Sequence, residues 1–202
     1  MKFIIATNNA HKLIELERIL SPLGINAVSP KKEGISLDDV EENGSSFKEN
    51  SFIKADAACK KTGLPAIADD SGICVDALDG KPGIYSARFG GEDASDTDKN
   101  SMILDMLKDK DDSERGAHYT CAITCVFPNG DKIQVEGKCF GKIARAPEGD
   151  GGFGYDPIFL YNGVSFGKTS AEDKDKVSHR GNALRMFREE LVKYLEGNNA
   201  HK

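Results

Sequence analysis

Phe3-Ile4-Ile5-Ala6-Thr7-Asn8-Asn9-Ala10-His11-Lys12-Leu13-Ile14-Glu15-Leu16 is the stretch on which the architecture turns. Phe3 to Ala6 is a short apolar run of the kind that makes a buried strand, and from Lys12 the pattern changes to apolar residues at Leu13, Leu16 and Leu20, a helical spacing. The reading is strand, turn, helix. Further along, Ser46-Phe47-Lys48-Glu49 predicts a second helix, with Ser46 capping its start and Glu49 reaching back in a capping box. Leu64-Pro65-Ala66-Ile67-Ala68 runs into Asp69-Asp70-Ser71-Gly72 before Ile73 to Leu78 resumes, which predicts strand, tight turn, strand, with the two acids at a strand's end.

The same reading extends to the rest of the chain. Ser95 to Leu107 predicts a third helix, capped by Ser95 with Asp98 three residues on. The charge-dense segment Asp105 to Arg115 reads as a solvated helix end and loop. Tyr119, Cys121, Ile123, Cys125 and Phe127 alternate along one strand face, and Pro128-Asn129-Gly130-Asp131 turns the chain into a partner strand, Ile133 to Phe140. A last helix begins near Ser178 and presents Leu184, Phe187, Leu191 and Leu195 on one face, and Gly197 to Lys202 is expected to fray. Helices interleave with strands while hairpins interrupt the parallel pattern. The expected fold is therefore α/β, with a mixed central sheet flanked by helices in a single domain over residues 1–196.

Composition narrows the function classes. The 202 residues are 30% charged and 39% hydrophobic, the balance of an ordinary globular chain with a sizeable core. A formal charge of −6 argues against a nucleic-acid surface, which draws on clustered Lys and Arg, but leaves room for a small anion in one basic pocket. The five cysteines are odd in number and form no C-x-x-C pair, so they read as reduced core residues rather than a disulfide framework or zinc site. The first apolar run is too short for a signal peptide, and no segment approaches the ~18 apolar residues of a membrane span. The expectation is a cytoplasmic protein with neither membrane nor nucleic-acid partner.

Several constellations carry chemistry. Thr7, Asn8, Asn9 and Lys12 occupy a strand-to-helix turn, where free backbone N–H groups, the helix dipole and a lysine favour a phosphate; Thr and Asn serve equally as plain helix caps there. Asp69 and Asp70 would point to opposite strand faces, so one of them is primary, and Asp70-Ser71-Gly72 also fits a simple hairpin turn. Carboxylates beside a polyphosphate imply a hard cation, Mg²⁺, for which Glu41 and Glu42 are further ligand candidates. Asn50 and Lys54, four apart on the second helix, share a face that could extend the phosphate wall or simply lie on the surface. Gly151-Gly152-Phe153-Gly154-Tyr155-Asp156 suits a loop closing over a flat ring. Ser178-His179-Arg180-Gly181 offers donors for a base's exocyclic oxygen, or an N-cap with basic neighbours. Together these parts describe a site for a nucleoside triphosphate.

From Lys2 to about Leu195 the chain resembles the inosine/xanthosine triphosphate pyrophosphatase family, through Thr7-Asn8-Asn9 with Lys12, Ser46 to Asn50 with Lys54-Ala55, Ala66 to Arg88, Gly151 to Pro157 and Ser178 to Gly181. The resemblance implies a two-lobed α/β fold with a cleft between the lobes, usually as a homodimer, and hydrolysis of ITP, dITP or XTP to the monophosphate and pyrophosphate. It implies Asp70 as proton acceptor and metal ligand with Glu41 and Asp69 nearby, and Thr7 to Lys12 and Lys54 on the phosphates. It also implies Ser71 on the substrate, and Phe153, Gly154, Tyr155, Asp156, Lys174, His179 and Arg180 around the base. Ser51 stands where alanine is common in that family, and Phe89 where tyrosine is common. Pyrimidine or canonical nucleotides as substrates, or a nucleotide sensor without turnover, are the rival readings.

Overall fold

The computed structural model describes residues 1–7, 9–91 and 93–199. β1 (Lys2–Ile5) leads into α1 (Ala10–Leu20), β2 (Asn26–Val28), α2 (Phe47–Thr62), β3 (Ala66–Val75) and α3 (Asp96–Met106). Then come β4 (Gly116–Val126), β5 (Lys132–Ile143), β6 (Phe159–Tyr161), β7 (Val164–Ser165), α4 (Ala171–Val177) and α5 (His179–Asn199). One sheet holds all seven strands in the order β2-β1-β3-β4-β5-β6-β7. β1 is parallel to β2 and β3, whereas β6 is antiparallel to β5 and β7, so the sheet is mixed as expected. Among the described residues no helix is long and apolar enough to cross a membrane.

The chain divides into two compact units, the first made of Met1–Asp70, Cys121–Gly137 and Ala183–Lys202, the second of Ser71–Thr120 and Lys138–Asn182. In the first, strand alternation sorts the core onto two sheet faces. Phe3, Ile5 and Ile67 pack with Leu16 and Leu20 of α1 and Phe187 and Leu191 of α5, while Ile4, Ala66 and Ala68 meet Ala55 and Ala58 of α2. Small alanines on both surfaces let α2 lie close to the strands that carry the acids. The second unit has its own core of Ile73, Val75, Ile103, Leu107, Tyr119, Phe159 and Phe166. Each large side chain buried there contributes about 1.5–3 kcal/mol by leaving water.

The expected tight turn at Asp69-Asp70-Ser71-Gly72 does not occur, because β3 runs through it without a break. Gly72 is present for close approach: a Cβ there would lie 2.4 Å from the Gly83 carbonyl oxygen and 2.4 Å from Ser86 Oγ. The pairing of β1 with β3 reaches Ile5↔Ile67, and β1 ends there while β3 continues. The acids therefore stand past the carboxyl end of β1 yet in the middle of β3.

Other boundaries differ less. The capping box at α3 forms as read, with Ser95 Oγ accepting from Asp98 N–H and Asp98 accepting from Ser95 N–H. At α2, Ser46 Oγ accepts from Glu49 N–H, but the Glu49 carboxylate reaches Ser45 N–H at 2.6 Å, one residue further out than the simple box. Arg115, expected in a solvated loop, is buried, and its guanidinium donates to the carbonyls of Leu107, Ile143 and Ala144 at 2.6 to 2.9 Å. Three backbone acceptors left by the end of α3 and the end of β5 draw it inward. α5 continues to Asn199, since a single Gly197 costs only about 1 kcal/mol in a helix; residues 200–202 of the expected tail lie outside the described residues.

Gly72→Ala should destabilise the protein by about 1–3 kcal/mol, the usual penalty for overpacking, because the added methyl meets a backbone oxygen that cannot rotate away. Urea unfolding monitored by circular dichroism measures this, and an unchanged midpoint would show that the approach of residues 83–86 to β3 is dispensable.

Candidate active site

In the first unit the chain leaves β1 for β2 on one side and returns through α2 to β3 on the other, so β1 and β3 are neighbours at a topological switch point. Ligands of open α/β sheets collect at the carboxyl ends of strands at such points. Thr7 and Asn9 lie in the β1–α1 turn. Thr7 Oγ1 accepts from Asn9 N–H at 3.1 Å, and Asn9 Oδ1 accepts from Lys12 N–H at 3.3 Å. Asn9 thus caps α1 while Thr7 holds the turn before it, and both line a pocket of about 280 Å³ with Lys12, Val40, Glu42 and Lys54. Asn8 lies outside the described residues.

Two ion pairs set the charge of this pocket. Lys12 Nζ is 2.7 Å from Asp69 Oδ2, and Asp69 is only 4% exposed. Lys54 Nζ is 2.9 Å from Glu42 Oε2. Glu41, which the family resemblance implied as a ligand, is exposed, and its neighbour Glu42 is the one that lines the pocket. Side chains of consecutive residues in an extended loop diverge, so only one of the pair can face inward.

Asp70 is placed differently from Asp69. Its Oδ2 accepts a hydrogen bond from Asn50 Nδ2 at 3.1 Å. Asn50 Oδ1 in turn accepts from Gly44 N–H at 2.9 Å, which ties the acidic loop, α2 and β3 together through one amide. Burial raises the Asp70 carboxyl above its ordinary range, the Lys54 charge and the Asn50 hydrogen bond pull it back, Glu42 raises it and Lys12 lowers it. Sequence reasoning set Asn50 beside Lys54 on a face that was more often surface; Asn50 is fully buried. Behind it, Ser51 Oγ lies 2.7 Å from Thr124 Oγ1, which also accepts from Gln134 Nε2 at 2.8 Å, fixing α2 against β4 and β5.

Among the described residues no group of three or more His, Cys, Asp or Glu could by itself hold a metal ion. A hard cation of the Mg²⁺ kind needs only one or two carboxylates, with phosphate and water completing its shell. Asp70, a half-buried oxygen donor raised by desolvation beside Glu42, fits that donor chemistry.

The second unit holds the remaining residues. Ser71 Oγ accepts from Arg180 Nη2 at 3.3 Å. Phe153 is 47% exposed, with Lys174 Nζ 4.6 Å and the Arg180 guanidinium 5.7 Å from its ring centroid. The Asp156 carboxylate is buried and turned inward, accepting from Phe153 N–H at 2.9 Å and from the Lys174 ammonium. Gly152, at φ +75°, keeps room for it, since a Cβ there would lie 2.2 Å from Asp156 Oδ2. Tyr155 is buried and donates its hydroxyl to the Ser86 carbonyl at 2.7 Å, so of the two aromatics in this loop only Phe153 offers an open ring.

Gly154 is held from both sides by α3. Its N–H donates to Asp96 Oδ2 at 2.7 Å and its carbonyl accepts from Asn100 Nδ2 at 3.0 Å. Neither Asp96 nor Asn100 was singled out from the sequence, where both look like ordinary positions near a helix start. His179 and Arg180 open α5 and are 6% and 8% exposed. Lys174 comes from α4, a helix the sequence reading did not resolve.

Comparison with known proteins bears on the family and the fold. The model of the Ham1 family matches residues 3–190. The chain belongs to the Ham1 family. It is 43% identical over 203 residues to a dITP/XTP pyrophosphatase of Clostridium perfringens, covering 96% of this chain and 99% of that one. It is 46% identical over 196 residues to the dITP/XTP pyrophosphatase of Shigella flexneri, covering 94% and 98%. Among solved structures, a HAM1 protein from Coxiella burnetii superposes with a TM-score of 0.89 at 37% identity, covering 96% and 99% of the two chains. The nucleoside-triphosphatase / dITP/XTP pyrophosphatase from Mycobacterium abscessus gives 0.80 at 43% identity, covering 92% and 98%.

For this Ham1-family chain the Asn50 amide generates a direct test. Asn50→Leu removes a donor to Asp70 and the acceptor for Gly44 N–H, and losing a hydrogen bond at a partly buried polar group costs about 1 kcal/mol. The variant should unfold at lower urea, and its Gly44 amide should exchange faster with solvent. Wild-type stability with a protected Gly44 amide would contradict the linkage.

Proposed function

We propose that this chain hydrolyses non-canonical purine nucleoside triphosphates, ITP, dITP and XTP, to the nucleoside monophosphate and pyrophosphate. The observation that carries the reading is the pocket at the start of α1, where Lys12 and Lys54 stand with Asp69 and Glu42 on the unit that also carries the half-buried Asp70 carboxyl. The names of the Ham1-family relatives agree with it.

In this reading the N–H groups of the β1–α1 turn, Thr7, Asn8, Asn9, Lys12 and Lys54 receive the phosphates. Asp70, with Glu42 near it, Glu41 next in sequence to Glu42 and Asp69 behind Lys12, would hold Mg²⁺. The ion supplies Lewis-acid polarisation of the phosphoryl oxygens and screens their charge. Asp70 accepts the proton of the attacking water: partial burial makes the carboxylate a stronger base than one in solution, and the Asn50 donor helps to orient it. Attack at the innermost phosphorus expels pyrophosphate in line.

Residues of the second unit recognise the base. The open ring of Phe153 offers a stacking surface, and Lys174, Arg180 and His179 supply donors. A 6-oxo purine presents an acceptor to them, whereas the 6-amino group of adenine would set donor against donor and leave a buried group unpaired. Ser71, held by Arg180, contacts the substrate where the two groups of residues meet in sequence. We further propose a cytoplasmic homodimer, in keeping with five free cysteines and the family resemblance.

Two measurements test this. With Mg²⁺ and ITP, chromatography should find IMP and pyrophosphate, and Asp70→Asn should fold normally yet lose about 10²–10⁴-fold in turnover, the range of a positioned base; IDP and phosphate as products, or wild-type rates in the variant, would overturn the assignment. Lys12→Ala should raise KM for ITP by about tenfold or more, as a lost charge-assisted contact worth about 1.5–3 kcal/mol predicts. Unchanged kinetics would remove Lys12 from the phosphate site.

A further inference from the structure

Beneath the base-facing residues of the second unit lies a side chain that no motif singled out for this role. Tyr119, on β4, is 6% exposed. Its ring lies 4.5 Å from the imidazole of His179 with only 9° between the planes. On its other sides Phe159 meets it edge-on at 4.7 Å and 61°, and Phe166 lies nearly parallel at 6.4 Å. Two packed rings therefore fix Tyr119 in one orientation, and it presents a flat face to His179. The imidazole sits in the first turn of α5, beside Arg180.

The hydroxyl end is a weaker contact. It stands 3.5 Å from Asp156 Oδ1, long for an O–H···O bond, while Asp156 takes shorter bonds from Phe153 N–H and Lys174. Burial first, and the nearby Asp156 charge second, push the phenol well above its ordinary range, so it remains a donor throughout the working pH.

We propose that Tyr119 is a positioning residue for base recognition: its aromatic face holds the His179 imidazole in a single plane, so that the donors of His179 and Arg180 meet the edge of the base already aligned. The inference rests on the reading of His179 and Arg180 as base-facing groups. The ring carries the effect and the hydroxyl adds little. A residue that acts this way changes binding of substrates that have a base and leaves the phosphate chemistry alone.

Three variants separate the parts. Tyr119→Phe keeps the stack and drops the hydroxyl; Tyr119→Met fills the volume with a flexible apolar chain and drops the flat face; Tyr119→Leu replaces it should the methionine variant fail to fold. Each is assayed for KM and kcat with ITP and examined by proton NMR in the free state, the His179 signal being assigned by its loss in His179→Gln. In the wild type and Tyr119→Phe the His179 ring protons should be shifted upfield by the underlying ring, with KM within about twofold of each other. In Tyr119→Met they should move toward the positions of an unstacked histidine, and KM for ITP should rise by about three- to tenfold with kcat nearly unchanged, the upper end of what one aromatic contact supplies.

An unmoved His179 signal in Tyr119→Met, or a moved signal with wild-type KM, would overturn the proposal. So would a Tyr119→Phe variant as impaired as Tyr119→Met, since the hydroxyl would then be the active part. Failure of the underlying function looks different: the wild type itself would not cleave ITP, whereas failure of this inference leaves wild-type turnover intact.

Discussion

The constraint on which the rest depends is a carboxyl group, that of Asp70, drawn partly out of water before any substrate arrives. Asp70 reaches that state because β3 outruns β1, so its chain carries two acids past the last parallel pairing, Asp69 toward Lys12 of α1 and Asp70 toward Asn50 of α2. An isolated buried carboxylate is expensive, and it is retained only where donors and cations offset the loss of hydration. Asn50 provides the donor; Lys54 and Lys12 provide the field. The same offset is incomplete, which is why the group remains a better proton acceptor than a solvated aspartate. Alanines at 55, 58, 66 and 68 let α2 approach the strands closely enough for a short amide side chain to bridge the gap.

The two lysines of the pocket are not equivalent. Lys12 pairs with Asp69, which is almost wholly buried, and separating that pair would leave a carboxylate uncompensated at a cost of several kcal/mol. Lys54 pairs with Glu42, whose side chain is 36% exposed and can return to water cheaply. A polyphosphate entering the pocket would therefore draw Lys54 away from its partner more readily than Lys12. The released Glu42 is then an oxygen donor beside Asp70. Lys12 acts from a fixed position, as a charge set against the turn whose backbone Asn9 caps. On the proposed reading, a fixed and an exchangeable cation side by side balance Asp69 and Glu42 before binding and leave one ammonium to meet a highly charged tail.

Much of this was legible in the sequence, for reasons that can be named residue by residue. The strand-turn-helix start, the Ser95 capping box and the alternation along Tyr119 to Phe127 are local patterns, and local patterns survive folding because period and capping act within a few residues. The strand's two-residue period also said that only one of Asp69 and Asp70 could be primary. What failed was the turn at Asp69 to Gly72: glycine after acid and serine looks like a turn, and nothing within the segment reveals that Gly83 and Ser86 will lie against it. The same holds for Asn50, whose partners are six and twenty residues away, and for Asp96 and Asn100, which reach Gly154 across more than fifty. Arg115 misled because a basic residue in a charged segment usually faces water, and only the folded chain leaves three carbonyls together around it. Roles that depend on long-range contact are not written in spacing.

The second unit solves a different problem from the first. Lys174 and Arg180 both stand over Phe153, and neither side chain can accept a hydrogen bond. Two cations this close repel unless each has its own partner, and the structure gives Lys174 the buried Asp156 and Arg180 the hydroxyl of Ser71. Asp156 also accepts from Phe153 N–H, so a single carboxylate sets both the stacking ring and the ammonium above it. Its inward turn then has a chemical consequence. Were the carboxylate open to the base, it would accept from an amino group and welcome adenine; satisfied by Lys174 and the loop backbone, it is withdrawn from that competition. On the proposed reading, Lys174 and Arg180 then meet the purine edge as donors, and donors of this kind find their partner in a ring carbonyl. On the proposed reading, selection against the 6-amino purine thus follows from where one acid points rather than from any group built to repel it.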